Sequence, residues 1–206
     1  MNVIDRLVNS GAVAIVRAQD QQGGQQVADA IVDAGLGCIE VTLTSPGAFE
    51  IIASLASRSG VCVGVGTVLN PADVSRARSA GATFVVSPNA NPEVIAATKR
   101  EGLISIPGIA TPSDVAIALE AGADILKLFP ASSYGPAHLR ALRDPFPGNL
   151  WCPTGGLSIA TIPDWFAAGA TMVGLGGPLL KGGVEAIATN VSAFLNAIAI
   201  AKEIGS

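Results

Sequence analysis

Eight short apolar runs, each followed by a helix-like segment, predict an α/β protein built as a single (β/α)8 barrel of the TIM type. Two further observations support this. Several helices open on a cap residue followed by proline, and several close on a glycine just before the next run. An open doubly wound sheet is the alternative, but it would show one marked dinucleotide-binding loop.

The runs fall at 12–17, 38–43, 61–65, 83–86, 103–106, 125–129, 150–153 and 171–175. Continuous apolar character suits strands of a parallel sheet that are covered on both faces. The intervening segments, at 24–33, 46–58, 71–79, 92–100, 112–120, 136–143 and 159–167, read as helices, with a last one from 184 to about 202. Start signals stand at Asn70-Pro71, Asn91-Pro92 and Thr111-Pro112, and stop signals at Gly35, Gly81, Gly102, Gly122 and Gly169. Residues 1–10 read as a short N-terminal helix covering the end of the barrel where the strands begin.

A chain of 206 residues can bury a substantial core as one domain spanning 1–206. Half of it is hydrophobic and 14% is charged, which excludes a disordered chain. A net charge of −4 argues against nucleic acid as a partner, because phosphate backbones need a basic face. A local anion site is still allowed. Cys38, Cys62 and Cys152 are odd in number, far apart and set in apolar runs, so a reduced, cytoplasmic protein is expected. The first residues lack the order of a signal peptide, and no apolar run is expected to reach bilayer-spanning length, so no membrane partner is expected.

The stretch Asp124-Ile-Leu-Lys-Leu-Phe-Pro130 puts a lysine inside a run that should be buried, where lysine rarely sits unpaired. Its bland explanation is a stem packed on apolar surface with the ammonium in water. Strand alternation places Lys127 with Ile125 and Phe129 on one face. On the second run it places Glu40 with Cys38, Thr42 and Thr44, opposite the apolar face of Ile39, Val41 and Leu43. Both charges then point inside the barrel, and Arg17 ends the first run on the same side. A buried Glu40–Lys127 ion pair would be weak evidence for stability and better evidence for a site. The turns Pro153-Thr-Gly-Gly156 and Gly174-Leu-Gly-Gly-Pro178 follow the last two runs, where barrels often receive phosphate on backbone amides. His138 is assigned to the surface. No His, Asp or Glu cluster has metal-ligand spacing, so neither a metal nor a cofactor is expected. Desolvation frees a buried amine to attack a carbonyl, and a carboxylate can shuttle the protons of the imine chemistry that follows.

At these residues the chain resembles the class I 2-keto-3-deoxy-6-phosphogluconate and 2-keto-3-deoxy-6-phosphogalactonate aldolases. The motifs run in order: Glu40-Val-Thr-Leu, Gly64-Val-Gly-Thr-Val-Leu69, Ser87-Pro88, Pro107-Gly108, Lys127-Leu-Phe-Pro130, Cys152-Pro-Thr-Gly-Gly156 and Gly176-Gly177. The resemblance implies a homotrimer that cleaves a phosphorylated keto-deoxy sugar acid to pyruvate and glyceraldehyde 3-phosphate. It implies Lys127 as the Schiff-base lysine and Glu40 as the general acid/base. Thr67 and Pro107 would line the pyruvate pocket, with Phe129 beside the lysine. Gly155, Gly156, Gly176 and Gly177 would receive the phosphate, and Ser87 and Thr154 complete the substrate-binding set. The gluconate branch carries an arginine where this chain has Thr44, whereas the galactonate branch supplies one that Arg17 matches. Thr44-Ser-Pro46, Ser87-Pro-Asn89 and Ser132-Ser-Tyr-Gly-Pro136 also resemble the galactonate branch, while Cys152-Pro-Thr154 resembles the other. Pro178 stands where relatives often place a serine. The galactonate substrate is expected, with a 2-dehydro-3-deoxy-6-phosphogluconate / 4-hydroxy-2-oxoglutarate aldolase as the alternative within the family. A phosphosugar isomerase or epimerase using Glu40 as base, and a non-catalytic binder, are the competing readings.

Overall fold

The computed structural model describes residues 1–205. The chain opens with α1 (Val3–Ser10), closed at its start by a reciprocal cap. Asn2 Oδ1 accepts from the Asp5 amide at 2.8 Å, and Asp5 Oδ2 accepts from the Asn2 amide at 3.3 Å. Strands and helices then alternate: β1 (Ala12–Val16), α2 (Gln21–Asp33), β2 (Cys38–Thr42), α3 (Ala48–Ala56), β3 (Cys62–Gly66), α4 (Ala72–Ser79), β4 (Phe84–Val86), α5 (Pro92–Arg100) and β5 (Ile104–Ile106). The second half holds β6 (Gly108–Ile109), α6 (Pro112–Glu120), β7 (Ile125–Leu128), α7 (Ala131–Arg143), β8 (Leu150–Trp151), α8 (Ile162–Ala167), β9 (Val173–Leu175), the short α9 (Gly177–Leu180) and α10 (Ile187–Gly205).

The expected punctuation does its job. Asn91 Oδ1 accepts from the Glu93 amide at 2.9 Å, and Thr111 and Asp114 form a reciprocal cap on α6. Gly81 and Gly169 take φ of 95° and 93°, a left-handed conformation that lets the chain leave α4 and α8 for the next strand.

All strand pairs are parallel, as short strands joined through helices require. One sheet has six strands in the order β5-β4-β3-β2-β1-β9, and a second has three in the order β6-β7-β8. Pro107 marks the change of sheet: it brings no N–H, and the chain resumes pairing beyond it against β7 instead of β4. The sheets meet along two seams. At one, the Asp124 and Lys127 amides donate to the Ser105 and Pro107 carbonyls at 3.0 and 2.9 Å. At the other, the Gly174 amide donates to the Pro153 carbonyl at 3.0 Å beside a parallel bridge between Thr154 and Gly174. Side chains from both sheets, including Val13, Cys62, Phe84, Ile106, Ile125 and Met172, share one inner cluster with Leu7 of α1. A larger outer cluster fills the space between strands and helices.

Two helices depart most from expectation. The helix expected at 136–143 starts at Ala131, because a non-helical Gly135 (φ 78°, ψ 169°) precedes Pro136 and lets two helical pieces run on. The segment at 159–167 divides into a tight turn, Ile159–Thr161, and α8. The expectation that no segment reaches membrane-spanning length is also corrected: Val184–Ile204 is long and apolar enough by length and composition. Within it, Ile187, Val191, Phe194, Ile198 and Ala201 recur at helical spacing and are buried in the outer cluster, so one face of α10 belongs to the core.

Candidate active site

Lys127 stands on β7 directly opposite Gly108, where a Cβ would lie 2.2 Å from the Pro88 carbonyl oxygen. Only glycine lets the backbones approach this closely. As alternation predicts, Ile125 joins the inner cluster while Lys127 and Phe129 face a cavity at the C-terminal ends of the strands. The Lys127 ammonium lies 5.1 Å from the centre of the Phe129 ring.

Glu40 occupies the middle of β2, in register between Ile15 and Gly64. Two glycines on β3 make room on the inner side. A Cβ on Gly66 would come within 2.5 Å of Glu40 Oε1, and one on Gly64 within 2.3 Å of the Phe84 ring. Glu40 is 4% exposed and Lys127 7%. Burial pushes the Glu40 carboxyl above its ordinary value, with Lys127 and then Arg17 pulling it back. Among the described residues no ion pair within 4.0 Å joins the two groups. The buried ion pair that would explain them away is therefore not formed, and both face the same open volume.

That volume is about 460 Å³, and it gathers most of the residues picked from the sequence. Arg17, Glu40, Thr67, Lys127, Phe129, Thr154, Gly155, Gly156, Gly176 and Gly177 all line it. Arg17 follows β1 by one residue and Thr67 follows β3 by one. Thr67 holds φ at 60°, a left-handed conformation that is a real outlier for a β-branched side chain. Thr154 is buried, with its hydroxyl 3.2 Å from the Cys152 carbonyl, and fits only because residue 174 has no Cβ.

Ser87 and Pro107 are not among the lining residues. Ser87 is buried with its amide on the Ile106 carbonyl, and it is the next residue, Pro88, that meets the cavity. Pro107 stands behind the site, its carbonyl accepting the Lys127 amide. Gly174 and Pro178, the two ends of the second glycine turn, line the cavity as well, while sequence reasoning missed Ile15, Leu157 and Leu180; of these Ile15 alone carried a signal, two residues before Arg17 on the same strand face. Thr44, assigned to the inner face with Glu40, lies past the end of β2 and is exposed. His138 is corrected from the surface to a half-buried position. Its Nε2 lies 2.7 Å from the Ala110 carbonyl oxygen, and its ring stacks on Tyr134 with centres 4.6 Å apart. The three cysteines are free and buried, and burial pushes the Cys152 thiol up to about 11, so it stays protonated beside the site at neutral pH.

A buried lysine and carboxylate facing one cavity at strand C-terminal ends, with glycine turns at its far wall, define the kind of site used for carbonyl chemistry on a lysine. A model of the KDPG and KHG aldolases matches residues 3–193, and the chain belongs to that family. A protein of Rhizobium meliloti (strain 1021) named probable 2-dehydro-3-deoxy-6-phosphogalactonate aldolase is 37% identical over 177 residues, 84% of each chain. A solved structure described as native KDPGal superposes with a TM-score of 0.87 at 33% identity, covering 93% of this chain and 96% of the other. KDPG aldolase from Legionella pneumophila, solved with pyruvate captured as a covalent carbinolamine, superposes with a TM-score of 0.80 at 26% identity, covering 100% and 99%.

Proposed function

We propose that this aldolase reversibly cleaves 2-dehydro-3-deoxy-6-phosphogalactonate to pyruvate and D-glyceraldehyde 3-phosphate through an imine on Lys127. The observation that carries the reading is the unpaired, buried Lys127 and Glu40 facing one cavity that also holds Arg17. Lys127 Nζ attacks the keto carbon, and the carbinolamine loses water to give an iminium. The Glu40 carboxylate takes the proton of the C4 hydroxyl. The C3–C4 bond then breaks, its electron pair entering the iminium, and the aldehyde leaves. Glu40 returns a proton to the enamine carbon, and water releases pyruvate. A carboxyl raised by burial holds a proton more readily than a free one, which suits this double duty.

Arg17 holds the substrate carboxylate, Thr67 and Phe129 shape the pyruvate pocket, and amides of Gly155, Gly156, Gly176 and Gly177 receive the phosphate. With β5 and β6 counted as one strand interrupted at Pro107, the hydrogen bonds across both seams support a closed eight-stranded (β/α)8 barrel, in a single domain spanning residues 1–206. A cytoplasmic homotrimer is part of the proposal. The gluconate epimer is a second candidate substrate, favoured by Thr154 on the cavity wall. Borohydride should trap pyruvate irreversibly on Lys127, and pyruvate release from the two epimers, compared side by side, should favour the galactonate. Absence of the adduct in the unsubstituted protein would sink the imine mechanism.

A further inference from the structure

Arg17 has to be aimed by something other than its strand. β1 ends at Val16, and residues 17–20 form a loop. The next backbone donor, the Ala18 amide, gives its hydrogen to Ser45 Oγ at 3.1 Å. Ser45 is 3% exposed and sits in the loop after β2. Its hydroxyl also meets Thr42 Oγ1 at 3.2 Å, and its amide donates to the Thr42 carbonyl at 2.9 Å. Thr42 is on β2, two residues beyond Glu40 and so on the same face. A second clasp reinforces the first: Gly47, at φ 70°, lies so close to Gln21 that a Cβ would come within 2.4 Å of Gln21 Cγ. The chain of contacts therefore runs from the Glu40 strand, through Thr42 and Ser45, to the backbone next to Arg17.

We propose that Ser45 is a positioning residue that aims Arg17 at the substrate carboxylate. The proposal rests on the reading of Arg17 as the carboxylate contact. A hydroxyl suits the place because it accepts from the Ala18 amide while sharing a proton with Thr42, so neither group is left without a partner. Removing it frees the loop at the residue after Arg17 without touching the lysine.

Pyruvate and acetone test this directly, because both offer the ketone that Lys127 attacks and only pyruvate has a carboxylate. Borohydride trapping of each on the full chain, measured across ligand concentration, gives two curves per variant. Ser45→Ala should raise the half-saturating pyruvate concentration roughly three- to tenfold and leave the acetone curve in place. In an Arg17→Ala background, adding Ser45→Ala should change neither curve. Equal shifts for both ketones, or an additive shift in the Arg17→Ala background, would make Ser45 a merely structural residue and overturn the proposal. An Arg17→Ala protein with an unmoved pyruvate curve would instead bring down the carboxylate reading and the proposal with it. Should Ser45→Ala not fold, Ser45→Cys, a weak acceptor of similar shape, carries the same test.

Discussion

The lysine end of the cavity and its glycine end are built by opposite means. At the first, long charged side chains stand on buried strands, and neighbouring glycines only make room: Gly66 for the Glu40 carboxylate, and Gly108 for the Pro88 backbone that closes in beside the lysine strand. At the second, the wall is backbone: Gly155 and Gly156 hold left-handed conformations in succession, and Gly176 and Gly177 lead into α9. Around them stand Leu157, Pro178 and Leu180, with no charged side chain on that wall among the described residues. One end works by what its side chains carry, and the other by what its residues lack. Losing atoms should therefore damage the first, and gaining them the second.

The largest effect should come from Lys127→Met, which keeps the apolar stem and deletes the amine: cleavage falls by about 10⁴-fold or more while the fold survives, as read by pyruvate release and circular dichroism. Glu40→Gln should follow, slowing turnover by about 10²–10⁴-fold with little change in substrate binding. The same variant carries a stability signature. The folded-state value of Glu40 is raised, so the carboxyl costs nothing below its unfolded value, and ionising it costs stability as pH climbs through the folded value. Glu40→Gln should thus melt higher than the unsubstituted protein under alkaline conditions, and the gap should close as pH falls below the carboxyl's unfolded value. At the glycine end, Gly156→Ala adds one methyl at φ 76°, 2.4 Å from Ser132 Cβ. We expect the KM for the phosphorylated substrate to rise about tenfold, with trapping of pyruvate unchanged. A loss of pyruvate trapping there would erase the distinction between the two ends. Pro178→Ser should have the smallest effect, a gain in affinity for the phosphorylated substrate of about two- to fivefold from one restored amide and hydroxyl.

The lysine end was the more legible of the two in the sequence, for a physical reason. Side chains alternate with a period of two on a buried strand, so a charge within an apolar run declares both its burial and its face. That placed Glu40, Lys127 and Phe129 on the cavity without coordinates. Loops follow no such period. Ser87 and Pro88 are adjacent, yet only the second meets the cavity, and nothing in the residue types distinguishes them. Leu157 and Leu180 read as ordinary apolar residues because their position depends on how two turns fold back. Thr44 was drawn inward by extending the alternation of β2 two residues past its end. His138 looked exposed because the carbonyl that holds it, on Ala110, lies twenty-eight residues away in sequence. The division of the sheet at Pro107 was hidden as well. A proline announces a missing donor, but not which neighbour takes up the pairing afterwards.

Thr67 gives the site a cost that selection would notice. A left-handed conformation costs a residue with a Cβ roughly 1–2 kcal/mol, of which glycine's greater freedom when unfolded gives back about half. In a library sorted only for survival after heating, position 67 should drift toward glycine or asparagine. In one sorted for turnover, threonine should persist. The ratio of the two populations, read by sequencing, would measure how far this protein trades ruggedness for the shape of its pocket.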